Sequence, residues 1–99
     1  MELIVIKLKF DKIKQRTLVI DILNNWERQQ LRKLPNSISI PFLELVSKPE
    51  NYIKDTSQLV ITYCNYGNHS GQAVKILRKR SYLNSFVLEG GAEGYFSKN

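Results

Sequence analysis

The chain has 99 residues, of which 15 are lysine or arginine and 9 are aspartate or glutamate, giving a formal net charge of +6. Hydrophobic residues make up 42% and charged residues 24%, which excludes a disordered chain and predicts a single folded domain over residues 1–99. One cysteine (Cys64) and one histidine (His69) exclude an intrachain disulfide and a zinc site with four cysteine or histidine ligands. We expect no metal and no cofactor.

The first half of the chain alternates strand-like and helix-like segments. Residues 3–8 are rich in β-forming side chains, and residues 18–22 form a nearly continuous apolar run. A helix carrying Trp26 and Leu31 is predicted next, with Asn24 or Asn25 as its cap. Residues 37–40 alternate between polar and apolar side chains, which indicates another short strand.

The second half contains the strongest patterns. Pro41 suits the first turn of a helix that continues through residues 42–46. Residues 58–64 form the clearest strand, and residues 70–81 carry an apolar stripe typical of an amphipathic helix. A strand at residues 85–88 is followed by a glycine turn and a final helical turn before residue 97.

This alternation of strands and helices indicates an α/β fold with a mainly parallel, five-stranded sheet that helices flank on both faces. The apolar run at the start of the chain is too short for a secretion signal. No segment approaches the ~18 apolar residues that span a membrane. We therefore expect a cytoplasmic protein without membrane contact.

The positive charges are mostly interleaved with apolar residues, as on the solvated faces of strands and helices. The exception is the basic triplet at residues 78–80. No nucleic-acid-binding motif accompanies the charge, so the pattern does not favour nucleic acid as a partner. A basic protein still attracts small anions to a cleft.

Chemically reactive groups concentrate around Cys64, where the strongest strand ends, a loop containing Gly67 follows, and a helix begins near Ser70. Ligands of α/β sheets bind beyond the carboxyl ends of the strands. The backbone N–H groups of such a loop and the dipole of the helix stabilise a thiolate, the reactive form of cysteine, and an anionic substrate beside it. The alternative is that Cys64 is only a small buried hydrophobic residue.

Four segments in order resemble the single-domain rhodanese family. Residues 59–70, Leu-Val-Ile-Thr-Tyr-Cys-Asn-Tyr-Gly-Asn-His-Ser, are similar to its apolar strand followed by Cys-x-x-Gly-x-Arg-Ser. Residues 88–95 match its Leu-x-Gly-Gly segment with a following aromatic residue. Residues 18–21 resemble its strand ending in aspartate, and residues 34–41 its Ile-Pro-Gly-Ala-x-Asn-Ile-Pro segment. The resemblance implies a rhodanese-like fold.

The resemblance also implies a sulfurtransferase. In that family the loop cysteine, here Cys64, takes the outer sulfur of thiosulfate or a persulfide donor and holds it as a persulfide. The sulfur then passes to cyanide, a thiol or a sulfur-acceptor protein. The cradle for this anionic sulfur would be formed by the backbone amides of Asn65, Tyr66, Gly67, Asn68, His69 and Ser70. Structural support is expected from Asp21, Gly90 and Gly91.

Several positions depart from the family pattern. His69 stands in place of the loop arginine, and a histidine is only partly protonated near neutral pH whereas arginine is a permanent cation. Leu23 replaces an arginine near the site, and Asn36 replaces a glycine. The alternative function is a weakly active or inactive module that docks a partner or relays sulfur. Cysteine phosphatases are excluded, because their Cys-x5-Arg motif would require arginine at Ser70.

Overall fold

The computed structural model describes residues 4–5, 7–13, 16–23, 33–34, 36–64 and 68–96. The strands in this part of the chain are β1 (Ile4–Val5), β2 (Leu18–Asp21), β3 (Ile38–Ser39), β4 (Val60–Tyr63) and β5 (Ser85–Leu88). The α-helices are α1 (Lys7–Ile13), α2 (Phe42–Ser47), α3 (Asn68–Lys79) and α4 (Gly91–Phe96), and a 3-10 helix covers Pro49–Asn51.

The described strands form one five-stranded sheet in the order β1-β5-β4-β2-β3, and every neighbouring pair is parallel. The central strand β4 is buried at all four of its positions, which explains its continuous apolar sequence. It pairs with β2 from Leu18↔Val60 to Asp21↔Tyr63 and with β5 on its other side. The parallel sheet flanked by helices confirms the predicted fold class.

The strand order reverses direction once along the chain, from β1 through β2 to β3 and then back through β4 to β5. Because parallel crossovers are right-handed, the outward and return connections cover opposite faces of the sheet. Accordingly, α2 and α3 pack against each other. On the other face, the ring of Phe10 in α1 lies 5.6 Å from that of Tyr95 in α4, and the Tyr95 hydroxyl donates to Asp11 at 2.8 Å.

The prediction of a strand over residues 3–8 is wrong from Lys7 onward, because α1 begins there. Phe10 and Ile13 are buried, and their spacing of three residues lets one helical face carry both into the core. The predicted helix carrying Trp26 and Leu31 lies outside the described residues.

The amphipathic helix is confirmed, with its start at Asn68 rather than near Ser70. Its apolar stripe buries Ala73, Val74 and Leu77, while Lys75 faces solvent. Across the described residues no helix has the length and apolar character needed to cross a membrane.

The basic triplet at residues 78–80 takes part in tertiary packing. Arg78 donates through Nε to the carbonyl oxygen of Ser85 at 3.0 Å, and its guanidinium lies 4.9 Å from the centroid of the Phe86 ring. This stacking is a cation–π contact between α3 and β5. Arg78 therefore joins the helix to the strand that follows it.

Arg80 joins α3 to the end of α2. Its guanidinium donates to the carbonyl oxygens of Val46 and Ser47, each at 2.8 Å, and lies 3.8 Å from a carboxylate oxygen of Glu50. The last carbonyls of a helix lack partners within the helix, and a cation there also complements the helix dipole. Arg80 thus caps a helix that is only six residues long.

We predict that Arg80→Ala lowers the free energy of unfolding by about 1 kcal/mol, because two hydrogen bonds to helix-end carbonyls are lost at a partly exposed position. The neighbouring Lys79→Ala removes the same charge from an exposed side chain and is the matched control. Urea denaturation measures both variants. Equal effects of the two substitutions would contradict the proposed cap.

The turn between β5 and α4 depends on two glycines in the left-handed region, Gly90 with φ of 71° and Gly91 with φ of 63°. A Cβ atom placed on Gly90 would lie 3.0 Å from the Cα atom of Gly94. The turn therefore requires glycine both for its backbone angle and for the close approach of the next helical turn.

We predict that Gly90→Ala destabilises the protein by about 1–2 kcal/mol, the cost of a left-handed conformation for a residue with a side chain. Gly71→Ala is the matched substitution, because Gly71 lies within α3 and a Cβ atom on it would have no neighbouring atom within 4 Å. There the added methyl group should stabilise the helix by up to about 1 kcal/mol. Thermal or urea unfolding of both variants tests these opposite signs.

Candidate active site

The carboxyl ends of three neighbouring strands meet at one edge of the sheet. Asp21 at the end of β2 is in register with Tyr63 of β4 on one side and with Ser39 of β3 on the other. Cys64 directly follows Tyr63, so it lies at this edge. This is the edge at which parallel α/β sheets bind their ligands.

The side chain of Cys64 is almost completely buried, with 3% of the residue exposed. Its Sγ atom lies 3.4 Å from Oγ of Ser70, which is fully buried in the first turn of α3. The hydroxyl of Thr62 donates to the carbonyl oxygen of Ser70, also at 3.4 Å. These contacts hold the start of α3 against the end of β4 and place a hydroxyl donor beside the sulfur.

The backbone of Cys64 is held from a second side. Its carbonyl oxygen accepts a hydrogen bond of 2.8 Å from the N–H of Ala92, in the first turn of α4. The turn through Gly90 and Gly91 delivers that N–H to the strand end. The Leu-x-Gly-Gly segment and the cysteine loop, which are distant in sequence, thus meet at Cys64.

Asp21 is fully buried, and its carboxylate accepts a hydrogen bond of 2.5 Å from the hydroxyl of Ser39. Its backbone carbonyl accepts from the N–H of Ile40 at 3.0 Å. Both contacts tie β2 to the edge strand β3. A buried carboxylate requires such hydrogen bonds to offset the loss of hydration.

Tyr63 contributes an interaction that the sequence analysis missed. Its hydroxyl is buried, accepts from the N–H of Leu34 at 3.1 Å, and lies 3.1 Å from Oγ of Ser37. Because the Ser37 hydroxyl donates to the carbonyl of Leu34 at 2.7 Å, the Tyr63 hydroxyl is the donor to Ser37. The sequence feature that could have predicted this interaction is a tyrosine in a buried, mostly apolar strand, since a buried hydroxyl needs a hydrogen-bond partner.

This network fixes the segment that precedes β3. Within it Asn36 has a φ of 63°, which explains why a residue that tolerates the left-handed region stands there. Lys33, next to Leu34, is exposed. The network therefore anchors the segment before β3 to the central strand.

His69 is exposed in the first turn of α3, one residue before Ser70. Its ring centroid lies 6.4 Å from that of Phe42, the first residue of α2, with the ring planes inclined by 54°. Of the remaining predicted cradle residues, Asn65, Tyr66 and Gly67 lie outside the described residues, and Asn68 is described in its backbone only. The structure thus brings together Cys64, Ser70 and the Gly90-Gly91 turn, with His69 at the surface beside them.

A shallow depression of about 450 Å³ lies at the opposite edge of the sheet, lined by Arg16, Thr17, Leu18, Tyr52, Lys54 and Gln58. The hydrogen bond from the Tyr52 hydroxyl to Glu44 raises the pKa of Tyr52. Close by in sequence, the N–H and hydroxyl of Ser57 donate to Asp55 and lower the pKa of that carboxyl. The depression lies near the amino ends of β2 and β4 and is separate from the Cys64 site.

Comparisons with known proteins agree with this architecture. A family model described as Rhodanese-like domain matches residues 6–98. Thiosulfate sulfurtransferase PspE of Escherichia coli strain K12 is 34% identical over 56 residues, which cover 57% of this chain and 54% of PspE. The chain thus aligns with about half the length of this curated relative.

Solved structures show the same fold. A rhodanese-related protein of Thermoplasma volcanium is 26% identical with a TM-score of 0.78, and the match covers 92% of this chain and 87% of that one. The human single-domain sulfurtransferase TSTD1 is 16% identical with a TM-score of 0.83, over 100% of this chain and 99% of the human protein. Because the family model covers almost the whole sequence, the chain belongs to the rhodanese-like domain family.

Proposed function

We propose that this protein is a sulfurtransferase that carries sulfur on Cys64. The observation that carries the proposal is the placement of a buried cysteine at the carboxyl end of the central strand, with the Ser70 hydroxyl 3.4 Å from its sulfur. Family membership supports sulfurtransferase activity in general, as do the names of PspE and TSTD1.

In the first step, the Cys64 thiolate attacks the outer sulfur of thiosulfate. A new S–S bond forms at Cys64, the S–S bond of thiosulfate breaks, and its electron pair leaves with sulfite. With a persulfide donor the same attack releases the donor as a thiolate. Both reactions follow the course of thiol–disulfide exchange, so no external oxidant is needed.

In the second step, the sulfur leaves the protein. Cyanide or an acceptor thiolate attacks the outer sulfur of the Cys64 persulfide and regenerates the Cys64 thiolate, with thiocyanate or a new persulfide as product. The sequence contains one cysteine, so no second thiol of the chain can displace the sulfur as an internal disulfide. The acceptor is therefore an external molecule.

The residues around the sulfur stabilise negative charge during both steps. The Ser70 hydroxyl donates a hydrogen bond to the thiolate, and α3, which has 12 residues, directs the positive end of its dipole toward the same edge. The backbone amides of residues 65–70 complete the proposed cradle. The Ala92 N–H holds the Cys64 carbonyl, so the strand end stays in place while the sulfur reacts.

We predict that incubation with thiosulfate adds the mass of one sulfur atom to the intact protein, and that cyanide removes it. Cys64→Ser should abolish the adduct, because no other thiol exists in the chain. Intact-protein mass spectrometry measures both species. Absence of an adduct after treatment of the wild-type protein with thiosulfate and with glutathione persulfide would refute the proposed activity.

The exposed His69, which stands in place of the family's arginine and contacts Phe42, favours a second candidate function. In this alternative the protein turns over thiosulfate poorly and serves as a docking or sulfur-relay module. The physical reason is that a guanidinium holds a small dianion by two charge-assisted hydrogen bonds, whereas an imidazole offers at most one on that side.

We predict that His69→Arg raises kcat/KM for thiosulfate by about tenfold, the effect of one added charge-assisted hydrogen bond. Leu83→Arg is the control, because it adds the same charge at an exposed position near the amino end of β5, away from Cys64. Steady-state thiocyanate formation measures the change. Unchanged turnover in His69→Arg would show that the histidine does not limit thiosulfate use and would argue against the relay module.

A further inference from the structure

The depression near the amino ends of β2 and β4 is a second place where a ligand can bind. Its volume of about 450 Å³ is within the range of small-molecule sites. Its lining combines two cations, Arg16 and Lys54, with the half-buried ring of Tyr52 and the amide of Gln58. None of the described residues that line it is acidic, so the lining suits an anion and does not suit a metal cation.

Both cations are available to a ligand. Arg16 and Lys54 are exposed, and within the described part of the chain neither forms an ion pair. The acid next to Lys54 is Asp55, whose carboxylate instead accepts two hydrogen bonds of 2.8 Å from the N–H and the hydroxyl of Ser57. Two positive charges that share one depression repel each other, and an anion bound between them relieves the repulsion.

Hydrogen bonds fix the two segments that carry these cations. The Leu18 N–H donates to the carbonyl oxygen of Leu59 at 3.0 Å, which joins the start of β2 to the segment before β4. The side-chain amide of Asn84 donates to the carbonyl oxygen of Ser57 at 2.8 Å, which holds that segment from the side of β5. The walls of the depression are therefore in place before a ligand binds, and this lowers the entropic cost of binding.

The other polar groups determine which parts of a ligand they can contact. The Thr17 hydroxyl donates to a main-chain carbonyl oxygen at 2.7 Å and the Tyr52 hydroxyl donates to Glu44, so neither hydroxyl has a proton left for a ligand. Tyr52 therefore contributes its aromatic ring. The Gln58 amide donates one N–H to a main-chain carbonyl oxygen at 3.1 Å and retains a second N–H and its own oxygen.

We infer that the depression binds a nucleoside monophosphate, at a site independent of Cys64 and of the proposed sulfur transfer. A phosphate monoester has nearly two negative charges and three acceptor oxygens. It therefore suits an arginine together with a lysine better than a carboxylate does, which has one charge and two oxygens. The base is a planar group that stacks on an aromatic ring such as that of Tyr52. The edge of the base offers the paired donor and acceptor that the Gln58 amide can bind.

Calorimetric titration of the full chain with adenosine monophosphate (AMP), adenosine and inorganic phosphate tests the inference. We predict that AMP binds about tenfold more tightly than either adenosine or phosphate, because only AMP contacts both the cations and the ring. Arg16→Ala and Lys54→Ala should each weaken AMP binding about tenfold through the loss of a charge-assisted hydrogen bond. Lys75→Ala is the control, since it removes the same charge from an exposed position in α3 outside the depression. It should bind AMP as the wild type does.

Two substitutions of Tyr52 test the contact with the base. Tyr52→Phe keeps the ring and removes only the hydroxyl that is bonded to Glu44, so it should bind AMP as the wild type does. Tyr52→Leu removes the ring and should reduce the affinity for AMP to that for inorganic phosphate. Equal AMP binding by these two variants would contradict stacking on Tyr52.

The titrations also define how the inference fails. Absence of saturable AMP binding would overturn it, and so would equal affinities for AMP and inorganic phosphate, which would show only attraction of any anion to two cations. An equal loss of AMP binding in Lys54→Ala and Lys75→Ala would likewise indicate a general effect of charge. Circular dichroism shows whether the variants fold, and alanine is tolerated at the three exposed cationic positions. Because nucleotide binding is measured, the result does not depend on whether Cys64 carries sulfur.

Discussion

Parallel pairing of every neighbouring described strand determines where chemistry can occur in this molecule, because it brings the carboxyl ends of the strands to one edge. The central strand ends at that edge with Cys64, and helices α2 and α3 both begin there. The same arrangement directs the positive end of the α3 dipole toward the cysteine. The depression at the amino ends of β2 and β4 is lined by cationic side chains, but neither the cysteine nor the start of α3 lies there. The proposed sulfur transfer is therefore placed at the carboxyl ends of the strands.

At this site the backbone of Cys64 is held by a hydrogen bond and its side chain is buried. Ala92 holds the Cys64 carbonyl from one helix, and Ser70 contacts the sulfur from another. Under the proposed function, the sulfur donor must therefore reach a residue of which only 3% is exposed.

Local patterns in the sequence were sufficient to predict the central strand, the amphipathic helix and the position of Cys64 between them. They failed at residues 7 and 8, which were predicted to continue the first strand but begin a helix that carries Phe10 and Ile13 into the core. Contacts between residues far apart in sequence could not be predicted, for a different reason. The hydrogen bond from Leu34 to the Tyr63 hydroxyl joins residues 29 positions apart, and that from Arg80 to Val46 joins residues 34 positions apart. Neither contact produces a periodic pattern in the sequence.

The pairing of Arg80 with the end of α2 has a mechanical consequence. A six-residue helix is too short to hold its shape alone, and α2 is joined to α3 at both of its ends, through the Phe42–His69 contact at one and through Arg80 at the other. The position of α2 is therefore coupled to that of α3 at both ends of the shorter helix. The packing of α2 thus helps to fix the first turn of α3, which contains the serine that lies 3.4 Å from the sulfur of Cys64.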